Sequence, residues 1–317
     1  MRAESAAETV VSIEGLEKTF RIGFWRKRVA AVRHASFAVQ RGEIFGLIGP
    51  NGAGKTTTLK MLTGLIRPDA GRATIFGVDA GRAASRARVG FLPETPHFYD
   101  YLRADELLHY FAHLYGMDHR LAARRIPFLL DRVGLGQVGD KQLRKFSKGM
   151  LQRVGLAQAL LPDAELVILD EPQSGLDPMG RRDVRQLIEE LRDEGKTVLF
   201  SSHILPDVEQ ICDRVAMMVG GTVRKVGRLD ELVDGALRDV EVVVRGDEAT
   251  LAPLAAQALR AAREPLGTTR FVLAPEASLD DFLRAALASG GSVVSVAPHR
   301  QKLEDIFVQE AARKEAP

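Results

Sequence analysis

Apolar positions along this 317-residue chain change their period several times, and those changes outline its elements. Val10 to Phe20 alternates apolar and polar, as an antiparallel strand with one buried face does. Val32 to Val39 repeats the pattern, and the basic residues 21–30 between them, with Arg26-Lys-Arg28 beside Trp25, predict a turn. After the turn Arg41-Gly42, Glu43-Ile-Phe-Gly-Leu-Ile48 is a short, nearly continuous apolar run. Such runs suit strands of a parallel sheet buried on both faces, and they recur at Leu166–Leu169 and Thr197–Phe200. Further strands are predicted at Ala73–Phe76, after the turn Arg67-Pro-Asp-Ala-Gly71, and at Arg88–Leu92, where Pro93 stops the run.

From about Asp105 to Val133 the spacing becomes helical, with Leu107, Leu108, Phe111, Leu114 and Tyr115 forming one face. Residues 97 to about 145–150 therefore read as a mostly helical insert. Helices are also expected at Thr56–Leu62, Val154–Leu161 and Val184–Glu194, the last closed by Gly195. Val215–Val219 and Thr222–Val226 flank Gly220-Gly221 as a closing hairpin. Strands alternating with helices predict an α/β domain with a largely parallel sheet and antiparallel N-terminal strands over residues 1–230. Beyond about 235 the alternation runs on a smaller scale, predicting a small α+β accessory domain over 236–317. Its strand candidates are Val240–Val244, Arg270–Leu273 and Val293–Val296. Its helix candidates are Leu251–Arg263, Leu279–Ala288, for which Ser278 and Asp281 form a capping pair, and Leu303–Arg313.

Composition adds exclusions. A chain that is 45% hydrophobic and 27% charged, with a net charge of +2, exerts no general pull on nucleic acid. Basic clusters such as Arg26-Lys-Arg28 and Arg124-Arg125 read as solvated faces or as approaches to anionic lipid or a partner. The single Cys212 cannot form an internal disulfide, which suits a reducing cytosol. No apolar run approaches the ~20 residues that cross a bilayer. Met1–Glu8 carries acids and lacks the apolar core of a signal peptide, so any membrane span would be supplied by another chain.

The chemistry centres on Gly49-Pro50-Asn51-Gly52-Ala53-Gly54-Lys55-Thr56-Thr57, a complete match to G-x-x-x-x-G-K-[ST] between a strand and a helix. The glycines let backbone N–H groups face phosphate oxygens, and the helix N-terminus adds positive potential. Lys55 would reach the β- and γ-phosphates, and the Thr56 hydroxyl would ligate Mg²⁺. Asp170 and Glu171 end a buried strand, where a parallel sheet presents its ligands. Asp170 would hold Mg²⁺ and Glu171 would act as general base. Phe20 either stacks on a nucleotide base or packs as an ordinary core aromatic. His109 and His113, one turn after Glu106, have too few companions for a metal site and read as a solvated face.

Phe146-Ser147-Lys148-Gly149-Met150-Leu-Gln152-Arg153 opens another helix with a hydroxyl and free N–H groups. Ser147 is either a plain N-cap or a second anion site. The first phosphate site already has its own helix, so a second would grip the nucleotide of another copy, in a two-fold dimer.

In this order the motifs resemble the nucleotide-binding subunits of ATP-binding cassette (ABC) transporters, over about residues 10–225. The resemblance rests on Gly49–Thr57, Phe146–Met150, Leu166–Glu171, Ser174-Gly175-Leu176-Asp177 and Ser201-Ser-His203. It implies a P-loop NTPase of RecA-like fold that uses ATP and Mg²⁺. It also implies an integral membrane permease and a second copy as partners, and a place on the cytoplasmic, inner face of the membrane. By the same resemblance Ser147 and Gly149 contact the partner's nucleotide, Ser174–Asp177 links the two sites, His203 contacts the γ-phosphate, and Phe20 stacks on the base. Two departures stand out: Lys148 and Met150 replace a Gly and a Gln of the usual signature, and Glu94 replaces a Gln that usually touches the metal and the attacking water. A carboxylate can still ligate the metal but donates no hydrogen bond when ionised.

The Ser147-Lys-Gly-Met150 signature, Leu92-Pro-Glu94, Gly175-Leu-Asp-Pro178 and the tail Leu303-Glu-Asp-Ile-Phe307 together resemble the subset serving type-2 (ABC-2) exporters, the tail being similar to the C-terminal extension of drug-resistance-type members. Soluble ABC ATPases of DNA repair or ribosomes would usually show two cassettes or a long coiled coil. P-loop kinases and GTPases need neither Ser147–Met150 nor Ser174–Asp177.

Overall fold

The computed structural model describes residues 8–23, 27–233, 237–300 and 302–312. Two compact units divide the chain: Met1–Leu229 together with Glu310–Pro317, and Asp230–Gln309.

In the first unit, β1 (Thr9–Ile22) and β2 (Lys27–Gln40) form a long antiparallel pair that puts Phe20 opposite Val29. The predicted turn over 21–30 is therefore much tighter, because the strands run to Ile22 and resume at Lys27; Trp25 and Arg26 lie outside the described residues. Next come β3 (Ile44–Ile48), α1 (Lys55–Leu62), β4 (Ala70–Ile75), the two-residue β5 (Val78–Asp79) and β6 (Val89–Leu92). The helical segment follows as α2 (Ala104–Leu114) and α3 (His119–Arg132). The sequence reads residues 105–133 as one helical stretch, whereas Gly116 turns left-handed after α2 and Asp118 caps α3 through the N–H groups of Arg120 and Leu121. Leu107 and Leu108 are buried, but Leu114 and Tyr115, expected on the same face, are exposed. The break at Gly116 ends the helix before a long stripe can form.

α4 (Lys148–Leu160) leads to β7 (Leu166–Leu169), α5 (Pro178–Asp193), β8 (Thr197–Ser202), α6 (Leu205–Ile211), β9 (Arg214–Val219) and β10 (Thr222–Arg228). The strands make two sheets, β2-β1-β4-β5 and β10-β9-β3-β8-β7-β6. The first is antiparallel; the second is parallel from β9 to β6, with β10 closing it as a hairpin. Every residue of β3, β7 and β8 is buried, as parallel strands covered on both faces require. One core joins the sheets, with Phe37 stacked on Phe45 at 5.4 Å between ring centroids. Cys212 is buried with its Sγ beside Gly46 of β3, and burial pushes its thiol pKa up.

The helix α7 (Leu229–Leu232) spans the division between units. The second unit contains β11 (Leu237–Arg245), α8 (Glu248–Leu251), β12 (Arg260–Glu264), β13 (Thr268–Leu273), α9 (Leu279–Ala288), β14 (Ser292–Arg300) and most of α10 (Leu303–Ala312). Its antiparallel sheet has the order β12-β13-β11-β14, and Phe271 meets Phe282 of α9 edge-on across its core. Ser278 caps α9 by accepting from Asp281 N. The helix expected over Leu251–Arg263 is not formed. α8 ends at Leu251, Pro253 sits in a short 3₁₀ turn, and Arg260–Glu264 instead pairs with β13. Alanine-rich propensity is overridden there by an open sheet edge, where Arg260–Glu264 supplies backbone partners to β13.

Helix α4 rests directly on β6. A Cβ added at Gly90 would lie 2.1 Å from Ala159 O, a backbone atom that cannot swing aside. Gly90→Ala should therefore destabilise the first unit by about 1–3 kcal/mol, the usual cost of overpacking, measured by denaturant unfolding.

Candidate nucleotide-binding site

The loop between β3 and α1 is shaped by close backbone approach. Gly54 has φ +104, and a Cβ there would come within 2.4 Å of Ala31 O. Only glycine meets both demands. Lys55, 5% exposed, folds its ammonium back to donate to Gly49 O at 2.6 Å and Pro50 O at 3.2 Å. The same nitrogen lies 3.1 Å from Glu171 Oε1, a charge pairing without hydrogen-bond direction.

Asp170 and Glu171 follow β7 into the space beside this loop. Asp170 is fully buried; its Oδ1 accepts from Thr56 Oγ1 at 3.0 Å and Ser201 Oγ at 2.7 Å. Burial pushes its carboxyl pKa up, the two hydroxyl bonds oppose that, and the charges of Glu94 and Glu171 add to it. Its Oδ2 is buried without a hydrogen-bond partner, while Glu94 Oε2 stands 3.5 Å from the same Thr56 hydroxyl. An orphaned carboxylate oxygen, a hydroxyl and a second carboxylate are the hard donors a divalent cation takes, so the residues fit Mg²⁺. Among the described residues no three His, Cys, Asp or Glu side chains converge as a protein-only metal cage.

Glu171, 7% exposed, holds a left-handed φ of +49. Such a conformation persists only where its surroundings impose it. Here its N–H donates to Ser201 Oγ at 2.9 Å, and Ser174 N donates to its carbonyl at 3.0 Å. Its Oε2 lies 2.8 Å from His203 Nδ1, just past the end of β8.

These groups open on a cleft of about 280 Å³ lined by the loop from Asn51 to Thr57, Glu94 and Glu171, with Phe20, Val29 and Ala31 at its apolar end. Phe20 is half-buried there, with the Lys18 ammonium 5.8 Å from its ring centroid. A second hollow, of about 240 Å³, lies between Arg125, Arg132, Asp163 and Lys196, apart from the phosphate loop. Its charges are paired among themselves.

Other expected residues lie off the cleft. Ser147 caps α4 by accepting from Met150 N at 3.2 Å, and Gly149 faces Leu176. Asp177 caps α5 through Gly180 N at 2.8 Å. His109 and His113 are exposed, and His109 Nδ1 is engaged with Asp105 O. The sequence gives no role to Ser201, Val29 or Ala31. Ser201 could be suspected only from its place two residues before His203; Val29 and Ala31 come from strand register, which leaves no local signal.

Residues 32–174 match the family described as ABC transporter. The chain is 50% identical to an uncharacterized ABC transporter ATP-binding protein of Synechocystis sp. over 75% of its own length and 68% of that protein's. A second such protein, of Nostoc sp., is 42% identical over 97% of this chain and 91% of its own.

The chain belongs to the ABC transporter family, as an ATP-binding subunit.

It also resembles the Nod factor export ATP-binding protein I of Ralstonia nicotianae, at 33% identity over 96% of this chain and 94% of that protein. A solved structure titled as the ATP binding subunit of an ABC transporter superimposes with a TM-score of 0.63 at 33% identity, covering 71% of this chain and 92% of that one. As a member of this family the ABC subunit binds ATP and is an ATPase.

Ser201 is the one hydroxyl bonded both to the Asp170 carboxylate and to the Glu171 backbone. Ser201→Ala should cut ATP turnover by about 10- to 100-fold and raise the Mg²⁺ concentration needed for half-maximal rate, as loss of a group that orients a metal ligand does. A Mg²⁺ titration of the rate, alongside a thermal melt to confirm folding, reads this out.

Proposed function

We propose that this ABC subunit powers export through a separate membrane permease of the ABC-2 type, by ATP-driven head-to-tail dimerisation. The observation that carries the reading is the Lys55–Glu171–His203 chain at the mouth of the cleft, one residue beyond the Asp170–Thr56 pair. It gathers a phosphate ligand, a base and an orienting imidazole at the strand ends.

ATP would lie with its base on Phe20 and its phosphates against Gly49–Thr57, displacing the Lys55 ammonium from Glu171 towards the β- and γ-phosphates. Thr56, Asp170 and Glu94 would hold Mg²⁺, which when bound neutralises phosphate charge and fixes phosphate geometry. Glu171, released from Lys55, would take a proton from the attacking water, and His203 would orient Glu171 and reach the γ-phosphate. The partner copy would complete the pocket with Ser147 and Gly149, and Ser174–Asp177 would run between the two sites. Those contacts exist only when the copies close, so ATP favours closure and hydrolysis releases it.

The permease has a suitable surface on α2 and the segment before it. Tyr99, Tyr101, Tyr110, Leu114 and Tyr115 are exposed, and the rings of the four tyrosines form a chain through Phe111. Apolar exposure of this kind marks an interaction site. No described helix is long and apolar enough to cross a membrane, in keeping with spans on another chain and a place at the inner face of the membrane. Export is supported by relatives whose names refer to Nod factor export and linearmycin resistance. The second unit, which begins at Asp230 where the sequence places the boundary at 236 and ends at Gln309 instead of 317, is an accessory to this cassette.

Glu171→Gln should retain ATP binding, lower turnover by about 10²- to 10⁴-fold, as loss of a general base does, and accumulate an ATP-bound dimer on size exclusion. Unchanged turnover would remove Glu171 from that role. Ser147→Ala should weaken the ATP-dependent dimer while leaving nucleotide binding to the monomer intact; if dimerisation is unaltered, the shared-site reading fails.

A further inference from the structure

Lys148 and Gln152 are four residues apart, so both project from one face of α4. That face meets the segment that follows β7 in the same chain. The buried Gln152 side chain donates from Nε2 to Glu171 O and Pro172 O, each at 3.3 Å. One turn nearer the helix tip, the Lys148 stem lies flat over Gly175. A Cβ built on Gly175 would come within 2.7 to 3.0 Å of Lys148 Cδ, Cε and Cγ. The ammonium ends 3.4 Å from Ser174 Oγ. Between these two anchors, a Cβ on Gly149 would touch Leu176 Cδ2 at 3.1 Å. Arg153, next to Gln152, donates to Val133 O and Asp183 Oδ2, fixing the helix to the end of α3 and to α5.

The segment from Glu171 to Leu176 is thus gripped at both ends by α4. It carries the general base in a left-handed conformation that its surroundings must impose. The grip at the outer end exists because residue 148 is a lysine. The glycine usual in this signature would leave Gly175 bare.

We propose that Lys148 is a positioning residue that clamps the signature helix to the Glu171–Leu176 segment of its own chain. The inference rests on the shared-site reading above. In that dimer the tip of α4 holds the partner's γ-phosphate, while Glu171 serves the nucleotide bound by its own chain. Clamping the two makes them one body, so engagement of ATP at one site sets the base at the other. Lys148 therefore acts on turnover and on communication between sites, and its charge does not hold nucleotide. The hydrocarbon stem carries the effect. A 3.4 Å hydrogen bond at an exposed position is too long to contribute much.

The test uses the purified chain and compares Lys148→Ala and Lys148→Met with the parent for kcat, KM and the Hill coefficient for ATP. A loss of the clamp should lower kcat about tenfold in Lys148→Ala, because small misplacements of a catalytic group are costly. The Hill coefficient should fall towards the non-cooperative value, with KM changed by no more than about twofold. Lys148→Met keeps an unbranched stem and should restore most of both quantities. A raised KM at unchanged kcat in Lys148→Ala would mean that the charge holds nucleotide, and would overturn the proposal. So would a Lys148→Met variant as impaired as Lys148→Ala, or a Lys148→Ala variant with parental kinetics. Ser147→Ala, measured alongside, separates the two levels: if it too is silent the shared-site reading falls, whereas if it is impaired while Lys148→Ala is silent only the clamp falls.

Discussion

Two adjacent carboxylates, Asp170 and Glu171, stand almost entirely out of water at the end of a buried strand, and the architecture of the first unit answers that constraint. Desolvation disfavours each charge, and each charge disfavours the other. The compensation comes from three separate places. The start of α1 brings the Lys55 ammonium and the Thr56 hydroxyl, β8 brings Ser201, and the loop beyond β8 brings His203. None is a neighbour of Asp170 in the chain. They converge because the parallel order β3-β8-β7 puts the carboxyl ends of three strands side by side. Even so the compensation is incomplete, since Asp170 Oδ2 keeps no partner. On the reading proposed above, that oxygen would be paired by the cation that accompanies the nucleotide.

The helices after these strand ends are fastened with equal care. Arg185 of α5 pairs with Asp207 of α6, tying the helix that follows Asp177 to the one that follows His203. α4 is fixed through Arg125 of α3, which donates to Leu160 O and Leu161 O, and through Arg153. Most of these bonds end on backbone carbonyls or partly buried acids, where an arginine fork keeps more of its value than at an open surface. The pieces that would have to move in a catalytic cycle are therefore whole helices with their attached loops.

Much of this was legible in the sequence wherever the signal is local. The strand–loop–helix around Lys55, the apolar runs of β3, β7 and β8, and the alternation of β1 and β2 each follow from period and turn chemistry. What escaped depends on residues distant in sequence. β12 was read as a helix because alanines favour one, and only pairing with β13 makes it a strand. Leu114 and Tyr115 share one helical face with the buried Leu107 and Leu108 in the sequence, yet both are exposed where Gly116 ends that helix. Lys148 pointed nowhere in particular until Gly175, 27 positions later, offered it a bare backbone to lie on. Ser201 is ordinary in its own surroundings and acquires its importance from Asp170, on a different strand.

The apolar end of the cleft carries a consequence for selectivity. Among the described residues it consists of Phe20, Val29 and Ala31, a ring face and two hydrocarbon side chains, with no side-chain donor or acceptor to read the edge of a heterocycle. Stacking rewards any purine alike, and strong discrimination needs polar groups that a wrong base would leave unmatched. On the reading proposed above, these three side chains would grip the base through its flat faces, so any selectivity for its edge would have to come from elsewhere.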